Sequence, residues 1–261
     1  MKLNLKDKYA LVCGSTQGIG KATAKLLAEE GANITLVARN EEKLQEVLAE
    51  LPTNGQQHHY VVADFSSPTE LQQKVAAHLK KIGQCHILIN NTGGPPSGTV
   101  LNASLDEFEI AFTRHLKCNQ VLAQAVIPYM KEAGYGRIVN IISTSVKEPI
   151  EGLGVSNTIR GAVGNWSKTL AAEVAKFNIT VNNVLPGFTK TERLMEIIKV
   201  KAEKEHTSVE EMAEMMKNYA PIERFAEPQE VANAIVFLAS EAASYITGIN
   251  VPVDGGRTKS L

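Results

Sequence analysis

The sequence predicts an α/β fold: one doubly wound parallel sheet of about seven strands, with helices on both faces. Short apolar segments rich in β-branched residues alternate with longer helical segments along the 261 residues. Such alternation, with right-handed crossovers, gives a doubly wound sheet. The chain contains 44% apolar residues and shows no repeat, low-complexity tract or shift in composition. We therefore expect a single domain over residues 1–261 with one sizeable core.

The predicted elements follow one another in strict alternation. Strands are expected at Ala10–Cys13, Ile34–Ala38, Tyr60–Ala63, His86–Asn90, Arg137–Ile142, Thr180–Leu185 and Asn250–Val253. Helices are expected at Gly18–Glu30, Glu41–Leu51, Pro68–Ile82, Leu105–Ala133, Ser156–Phe177 and Pro228–Ser240.

One charged segment, Glu192–Tyr219, lies between the sixth strand and the last helix and predicts two helices broken near Thr207. It would sit beyond the carboxyl ends of the strands, where open α/β sheets bind ligands. We therefore expect a helical substrate lid near residues 190–220; a solvated helical hairpin or an oligomer contact is the alternative. Its four methionines suit either an adaptable apolar wall or the core between the two helices.

The first strand ends in a glycine-rich turn, Gly14-x-x-x-Gly18-x-Gly20, which leads into the first helix. A strand that turns sharply into a helix brings unpaired backbone N–H groups and the positive helix end to one point. Glycine allows the tight turn and the close approach of a pyrophosphate to the backbone. This stretch therefore predicts a phosphate-binding site.

Composition excludes several classes of function. The net charge is −1, and without a basic stripe it points to neither nucleic acid nor an anionic membrane surface. The N-terminal stretch has no signal-peptide pattern, and no segment is apolar enough to span a bilayer. The three cysteines lack a Cys-x-x-Cys spacing and the histidines form no metal-site spacing, so we expect a cytoplasmic protein with reduced thiols and no metal.

The chain resembles the short-chain dehydrogenase/reductase family from end to end. The glycine spacing matches the family's form, Asn90-Asn91-Thr92-Gly93 resembles its Asn-Asn-Ala-Gly motif, and Tyr245–Gly248 with Val253–Gly256 resembles its closing motif. The likeness is nearest to the β-ketoacyl-acyl-carrier-protein reductase-like and sugar-alcohol-like branches. It implies a Rossmann fold, a nicotinamide cofactor, and hydride transfer between that cofactor and a carbonyl or alcohol substrate.

The resemblance also implies which residues bind the cofactor. Arg39 follows the second strand, where an NAD enzyme usually carries an acid, and its guanidinium suits a 2′-phosphate. NADP(H) is therefore favoured, with NAD(H) as the alternative. The implied cofactor-binding set is Gly14, Ser15, Gln17, Gly18, Ile19, Gly20, Arg39, Asp64, Asn91, Gly93, Pro186, Gly187 and Thr189.

The catalytic positions depart from the family's Asn, Ser, Tyr and Lys. The family's catalytic serine corresponds to Ser143, at the end of the segment Gly136-Arg-Ile-Val-Asn-Ile-Ile-Ser143. An ungapped alignment from Ser143 puts Ser156 at the position of the family's tyrosine and Arg160 at the position of its lysine. Counting back from Ile127–Met130 puts His115 at the position of the family's catalytic asparagine.

These replacements change the chemistry that the site can perform. A serine hydroxyl is a far weaker acid than a tyrosine phenol, and an arginine does not release its proton. Ser156 and Arg160 are four residues apart on one helix, so they meet on one face and suit a carboxylate or phosphate. His115 could protonate an alkoxide, since imidazole titrates near neutrality; the alternative is a buried, hydrogen-bonded helix residue.

Two functions stay open on the sequence alone. The first is an NADP(H)-dependent oxidoreductase with Ser143, Ser156, Arg160 and His115 at its catalytic centre, acting on a carbonyl or alcohol compound that suits an anion site. The second is a catalytically silent homologue that binds the cofactor and acts as a regulatory subunit, since fold alone does not decide activity. The resemblance also implies a homotetramer or homodimer built through the helices at Leu105–Ala133 and Ser156–Phe177.

Overall fold

A computed structural model describes residues 2–260. These residues form a seven-stranded parallel sheet in the order β3-β2-β1-β4-β5-β6-β7, which confirms the predicted fold class. The strands are β1 Tyr9–Cys13, β2 Asn33–Ala38, β3 His59–Val62, β4 Ile87–Asn90, β5 Gly136–Ile141, β6 Ile179–Pro186 and β7 Asn250–Val253. The strand order reverses between β1 and β4, so the loops that follow these two strands diverge and leave a crevice.

The helices lie on both faces of this sheet. They are α1 Gly18–Glu29, α2 Glu41–Glu50, α3 Pro68–Ile82, α4 Leu105–Phe112, α5 Cys118–Ala133, α6 Gly154–Val174, α7 Glu192–Lys204, α8 Val209–Lys217 and α9 Pro228–Leu238. The single long helix predicted over Leu105–Ala133 is instead α4 and α5 joined by a π-helical turn, Thr113–Lys117. The predicted break near Thr207 matches the gap between α7 and α8.

The central strands are buried on both faces, as their continuous apolar runs predict. In β1, Ala10 and Val12 pack into one hydrophobic cluster with residues of α1 and α9. Leu11 and Cys13 alternate with them and pack into a second cluster with residues of α3 and α5. This period-two alternation places one half of the core on each side of the sheet.

Asparagines form a hydrogen-bonded row across four parallel strands. Asn90, Asn140, Asn183 and Asn250 are register partners on β4 to β7. Asn90 donates to the Asn140 Oδ1 atom at 2.7 Å, Asn140 to the Asn183 Oδ1 atom at 3.0 Å, and Asn183 to the Asn250 Oδ1 atom at 2.8 Å. The Asn140 amide also donates to the Ser167 hydroxyl on α6 at 2.9 Å. The row therefore ties the strands that carry the crevice to the helix packed against them.

We expect Asn140→Ala to destabilise the protein strongly. The substitution removes three buried hydrogen bonds and leaves the partner groups of Asn90 and Asn183 unsatisfied, which costs about 3 kcal/mol. Thermal unfolding followed by circular dichroism should show a Tm lower by roughly 6–10 °C. Asn250→Ala, which removes one bond at the end of the row, is the control; an equal loss in both variants would contradict the role of Asn140.

Candidate active site

A cavity of about 650 Å³ opens at the carboxyl ends of the strands. It is lined by the loops that follow β1, β2, β3, β4, β5 and β6, together with residues of α6 and α7. Among the described residues its lining carries five basic side chains, Arg39, Lys43, Arg114, Arg160 and Arg193, and one acid, Asp64. The cavity is therefore strongly positive although the net charge of the whole chain is −1.

The glycine-rich turn packs too closely for side chains. A Cβ on Gly20 would lie 2.1 Å from the Gly14 carbonyl oxygen, and Gly14 itself has a φ of 57° with Asn91 beside it. At the start of α1, no side-chain hydrogen bond from Gln17 caps the first turn within residues 2–260. Backbone N–H groups of this turn are therefore free for an anion. Gly14, Gln17, Gly18 and Ile19 line the cavity.

Basic and acidic side chains mark the end of the cavity beside β2 and β3. Arg39 is exposed directly after β2, and Lys43 lines the same wall. One Asp64 oxygen accepts a hydrogen bond from the Ser66 backbone N–H at 2.8 Å. This bond and the charges of Arg39 and Arg114 hold the pKa of Asp64 below its usual value, against the opposing effect of burial. The carboxylate is thus ionised, and it lines the cavity.

The remaining residues of the predicted cofactor set differ in their placement. Asn91, Gly93, Pro186 and Gly187 line the cavity, and the Asn91 amide donates to the Gly14 carbonyl at 3.2 Å. Ser15 and Thr189 are buried outside the cavity lining. The Ser15 hydroxyl has no hydrogen-bond partner in residues 2–260. Thr191, two residues after Thr189, lines the cavity.

Ser143 and Ser156 both line the cavity, and the oxygen of each already accepts a hydrogen bond. The Ser143 Oγ atom accepts from the Ser145 backbone N–H at 3.1 Å. The Ser156 Oγ atom accepts from Arg160 Nε at 3.3 Å. A hydroxyl group has one donor hydrogen, so each serine keeps that hydrogen for an acceptor bound in the cavity.

Arg160 lies one turn after Ser156 on α6, and the contact predicted between the two is present. Its Nη1 atom donates to the Ile142 carbonyl at 2.8 Å and to the Ile141 carbonyl at 3.3 Å. Burial, followed by the charge of Arg193, lowers the pKa of Arg160 to about 10. The guanidinium therefore stays charged at neutral pH and is fixed against the end of β5.

His115 is a buried residue whose pKa lies well below the usual value of a histidine. It is buried in the π-helical turn and is not among the residues that line the cavity. Burial, followed by the charges of Arg160 and Arg114, lowers the pKa of His115 to about 3. The prediction that His115 titrates near neutrality is therefore wrong, because desolvation and two nearby cations disfavour the imidazolium. A neutral, buried helix residue fits the structure better.

Sequence reasoning missed Lys43, Arg114 and Arg193 at the cavity. Arg193 follows the α7 N-cap Thr191, and its Nη2 atom donates to the Pro95 carbonyl at 2.8 Å. The methionines of α7 and α8 do not line the cavity: Met212 and Met216 fill the core between these helices, whereas Met195 and Met215 are exposed. The adaptable apolar wall is therefore contradicted. Arg193 is the single basic residue of the segment ERLMEII, so no local spacing pointed to it.

Residues 2–260 contain no group of three or more His, Cys, Asp or Glu side chains placed to hold a metal ion. In the same part of the chain, no helix is both long and apolar enough to cross a membrane.

The doubly wound sheet and the glycine-rich crevice at its switch point define a dinucleotide-binding α/β protein. A family model described as Enoyl-(Acyl carrier protein) reductase matches residues 14–258. Human dehydrogenase/reductase SDR family member 4 is 32% identical over 258 residues, which cover 98% of this chain and 90% of that relative. The chain therefore belongs to the short-chain dehydrogenase/reductase family.

Two further relatives have names that include a particular sugar. Glucose 1-dehydrogenase of Gluconobacter oxydans is 35% identical over 261 residues, covering 97% of this chain and 94% of the relative. The crystal structure of L-sorbose reductase from Gluconobacter frateurii, in complex with NADPH and L-sorbose, has a TM-score of 0.94 and 33% identity, with all of both chains covered. Fold and family are thus shared along the entire chain.

Proposed function

We propose that this chain is an NADP(H)-dependent oxidoreductase that transfers hydride between the cofactor and a small carbonyl or alcohol substrate, with a preference for anionic compounds. One observation carries the proposal: the uncapped glycine-rich turn and the two serines with free hydroxyl hydrogens line the same cavity. The NADPH bound by the L-sorbose reductase supports the cofactor assignment.

The residues present fit a dinucleotide phosphate. The first-turn N–H groups of α1 suit the pyrophosphate because no side chain of the described residues caps them. Arg39 and Lys43, at the exposed end of the same cavity, suit the 2′-phosphate through charge-assisted hydrogen bonds. The Asp64 carboxylate, which lines the cavity, can accept a hydrogen bond from the adenine amino group. When bound, NADPH supplies the hydride that the protein itself lacks.

At the carbonyl, the two serines would hold the oxygen that becomes negatively charged. Each hydroxyl donates its free hydrogen to that oxygen, and the Arg160 charge beside Ser156 stabilises the developing alkoxide. Donors that are already fixed before the reaction stabilise a transition state without reorganisation. The lining residues of the described chain include no His, Cys or Tyr, so we assign the proton to a serine hydroxyl. The serine is protonated again by a water molecule, which leaves to solvent as hydroxide.

Arg160 also gives the site its preference for anions. Its Nη2 atom has no hydrogen-bond partner in the described chain and can donate to a carboxylate or phosphate. The relatives named for glucose and L-sorbose point to hydroxylated carbonyl compounds as the parent class. We infer a substrate that combines such a carbonyl with an acidic group.

The proposal also includes the oligomeric state of the protein, its location in the cell and the role of α7 and α8. We infer a single domain over residues 1–261 that works in the cytoplasm as a homotetramer or homodimer. Helices α7 and α8, with their own small core, would act as the substrate lid, since Arg193 and Ile197 of α7 line the cavity.

The decisive test is NADPH oxidation against a panel of neutral and anionic carbonyl compounds, together with NADPH binding measured by fluorescence. We expect turnover that is highest with anionic carbonyls. Tight NADPH binding without turnover on any compound would favour the cofactor-binding regulatory homologue, which the loss of the family's tyrosine and lysine supports. Absence of NADPH binding would contradict both functions.

Arg160→Lys is expected to lower kcat/KM for an anionic carbonyl by about tenfold. A lysine presents a point charge and does not reproduce the planar guanidinium that bonds Ser156, the Ile141 and Ile142 carbonyls and an anion at the same time. Steady-state kinetics with one anionic and one neutral carbonyl would measure the change, with Lys199→Ala on the exposed face of α7 as the control. Full activity of Arg160→Lys on the anionic compound would rule out the anion-binding role.

A further inference from the structure

Building on the proposed function, we propose that Arg160 and Arg193 together bind one oxyanion group of the substrate, a carboxylate or a phosphate. Arg160 comes from α6 and Arg193 from the first turn of α7, and both side chains approach the dipeptide Gly94-Pro95. Arg193 is thus assigned as the substrate-binding residue of the lid segment.

The two guanidinium groups reach the same short piece of backbone. The Arg160 Nη2 atom lies 3.4 Å from the position that a Gly94 Cβ would occupy. The Arg193 Nη2 atom donates to the carbonyl of the next residue, Pro95, at 2.8 Å. Because Gly94 and Pro95 are neighbours, both charges lie at one wall of the cavity.

Each arginine keeps hydrogen-bonding capacity that the described chain does not use. The Arg160 Nε atom donates to Ser156 and its Nη1 atom to the Ile141 and Ile142 carbonyls, which leaves Nη2 without a partner among the described residues. The Arg193 Nη2 atom donates to the Pro95 carbonyl and its Nη1 atom to the Glu196 carboxylate at 3.3 Å, which leaves Nε without a partner among the described residues. The open N–H groups belong to different guanidinium groups, so an acceptor with two or more oxygens can bridge them.

The charge balance at this wall is incomplete without such a ligand. Asp64 is the one acid among the described lining residues, and it follows β3, on the side of Arg39. The carboxylate that pairs with Arg193, Glu196, is exposed on α7, and an exposed pair of this kind stabilises little. The charge of Arg193 also contributes to the lowered pKa of Arg160. An oxyanion between the two would remove this repulsion.

The position of Arg193 couples the anion to the lid. It stands two residues after the N-cap Thr191, whose hydroxyl accepts from the Leu194 N–H at 3.3 Å. Thr191 and Arg193 both line the cavity, so the positive N-terminal end of α7 lies at this wall and adds to the attraction for an anion. Its bond to Pro95 joins two segments 98 positions apart in sequence, so an anion held by both arginines would also fix α7 against the cavity.

The test measures binding of two probes, oxamate as a carboxylate and inorganic phosphate, by isothermal titration calorimetry of the protein saturated with NADP⁺. Saturation keeps phosphate out of the 2′-phosphate site. We expect at least one probe to bind with one site per chain, and Arg193→Ala to weaken it at least about tenfold. Binding of oxamate alone would assign a carboxylate substrate, and binding of phosphate alone a phosphorylated one.

Matched variants separate this inference from the proposed function. Lys199→Ala, which removes a charge from the exposed face of α7, should bind the probes like the wild type, and Arg193→Lys should fall between wild type and alanine. NADPH affinity should be unchanged in all three variants, which also reports on folding. Two results would overturn the two-arginine site if NADPH still binds: an unchanged probe affinity in Arg193→Ala, or no binding of either probe to the wild type. In both cases the proposed function would still stand.

Discussion

Replacing Arg39 by alanine is expected to raise the Kd for NADPH roughly 30- to 150-fold and to leave the Kd for NADH within about threefold. Arg39 is exposed at the end of β2, where its guanidinium can meet a 2′-phosphate. Charge-assisted hydrogen bonds to a phosphate contribute about 2–3 kcal/mol, which corresponds to the expected change. NADH carries no 2′-phosphate, so its affinity should change little in this variant.

Fluorescence titration of both cofactors would measure the two constants, and salt should weaken NADPH more than NADH because the contact is exposed. Lys43→Ala is the matched variant, since Lys43 lines the same wall and is expected to show the same selectivity with a smaller change. Equal losses for NADPH and NADH in Arg39→Ala would remove Arg39 from the 2′-phosphate and assign it to the shared part of the cofactor.

Local sequence patterns predicted the fold because each pattern determines the secondary structure and burial of the segment that contains it. The apolar run of β1 is buried on both faces, and its residues alternate between the two core clusters. The spacing of Ser156 and Arg160 brought them into contact because four residues make about one helical turn. Properties that follow from three or four neighbouring residues can therefore be predicted from a single sequence.

Properties set by distant neighbours could not be predicted in the same way. Arg193 reaches the cavity through its bond to Pro95, 98 positions away, and no local pattern reports that contact. The pKa of His115 depends on burial and on Arg160 and Arg114, of which Arg160 is supplied by a different helix. The π-helical turn around His115 divides a continuous helical pattern without a glycine or proline to mark it. Such turns often occur at functional sites.

Ser143→Ala is expected to lower kcat by about 10²- to 10³-fold with little change in the Kd for NADPH. The substitution removes one of two hydroxyl donors aimed at the carbonyl oxygen, and loss of one such donor has an effect of this size. Arg160 and Ser156 stay in place, because the Ser143 oxygen bonds only to the Ser145 N–H among the described residues. The loss should therefore appear in kcat rather than in cofactor binding.

The measurement is single-turnover oxidation of bound NADPH, which separates the hydride step from product release. Ser145→Ala is the control, since the Ser145 hydroxyl is buried with no partner in residues 2–260 and is absent from the cavity lining; it should retain most of the activity. A Ser143→Ala enzyme with an unchanged single-turnover rate would mean that Ser156 and Arg160 alone stabilise the alkoxide. In that case the site would operate entirely through the two residues that replace the family's tyrosine and lysine.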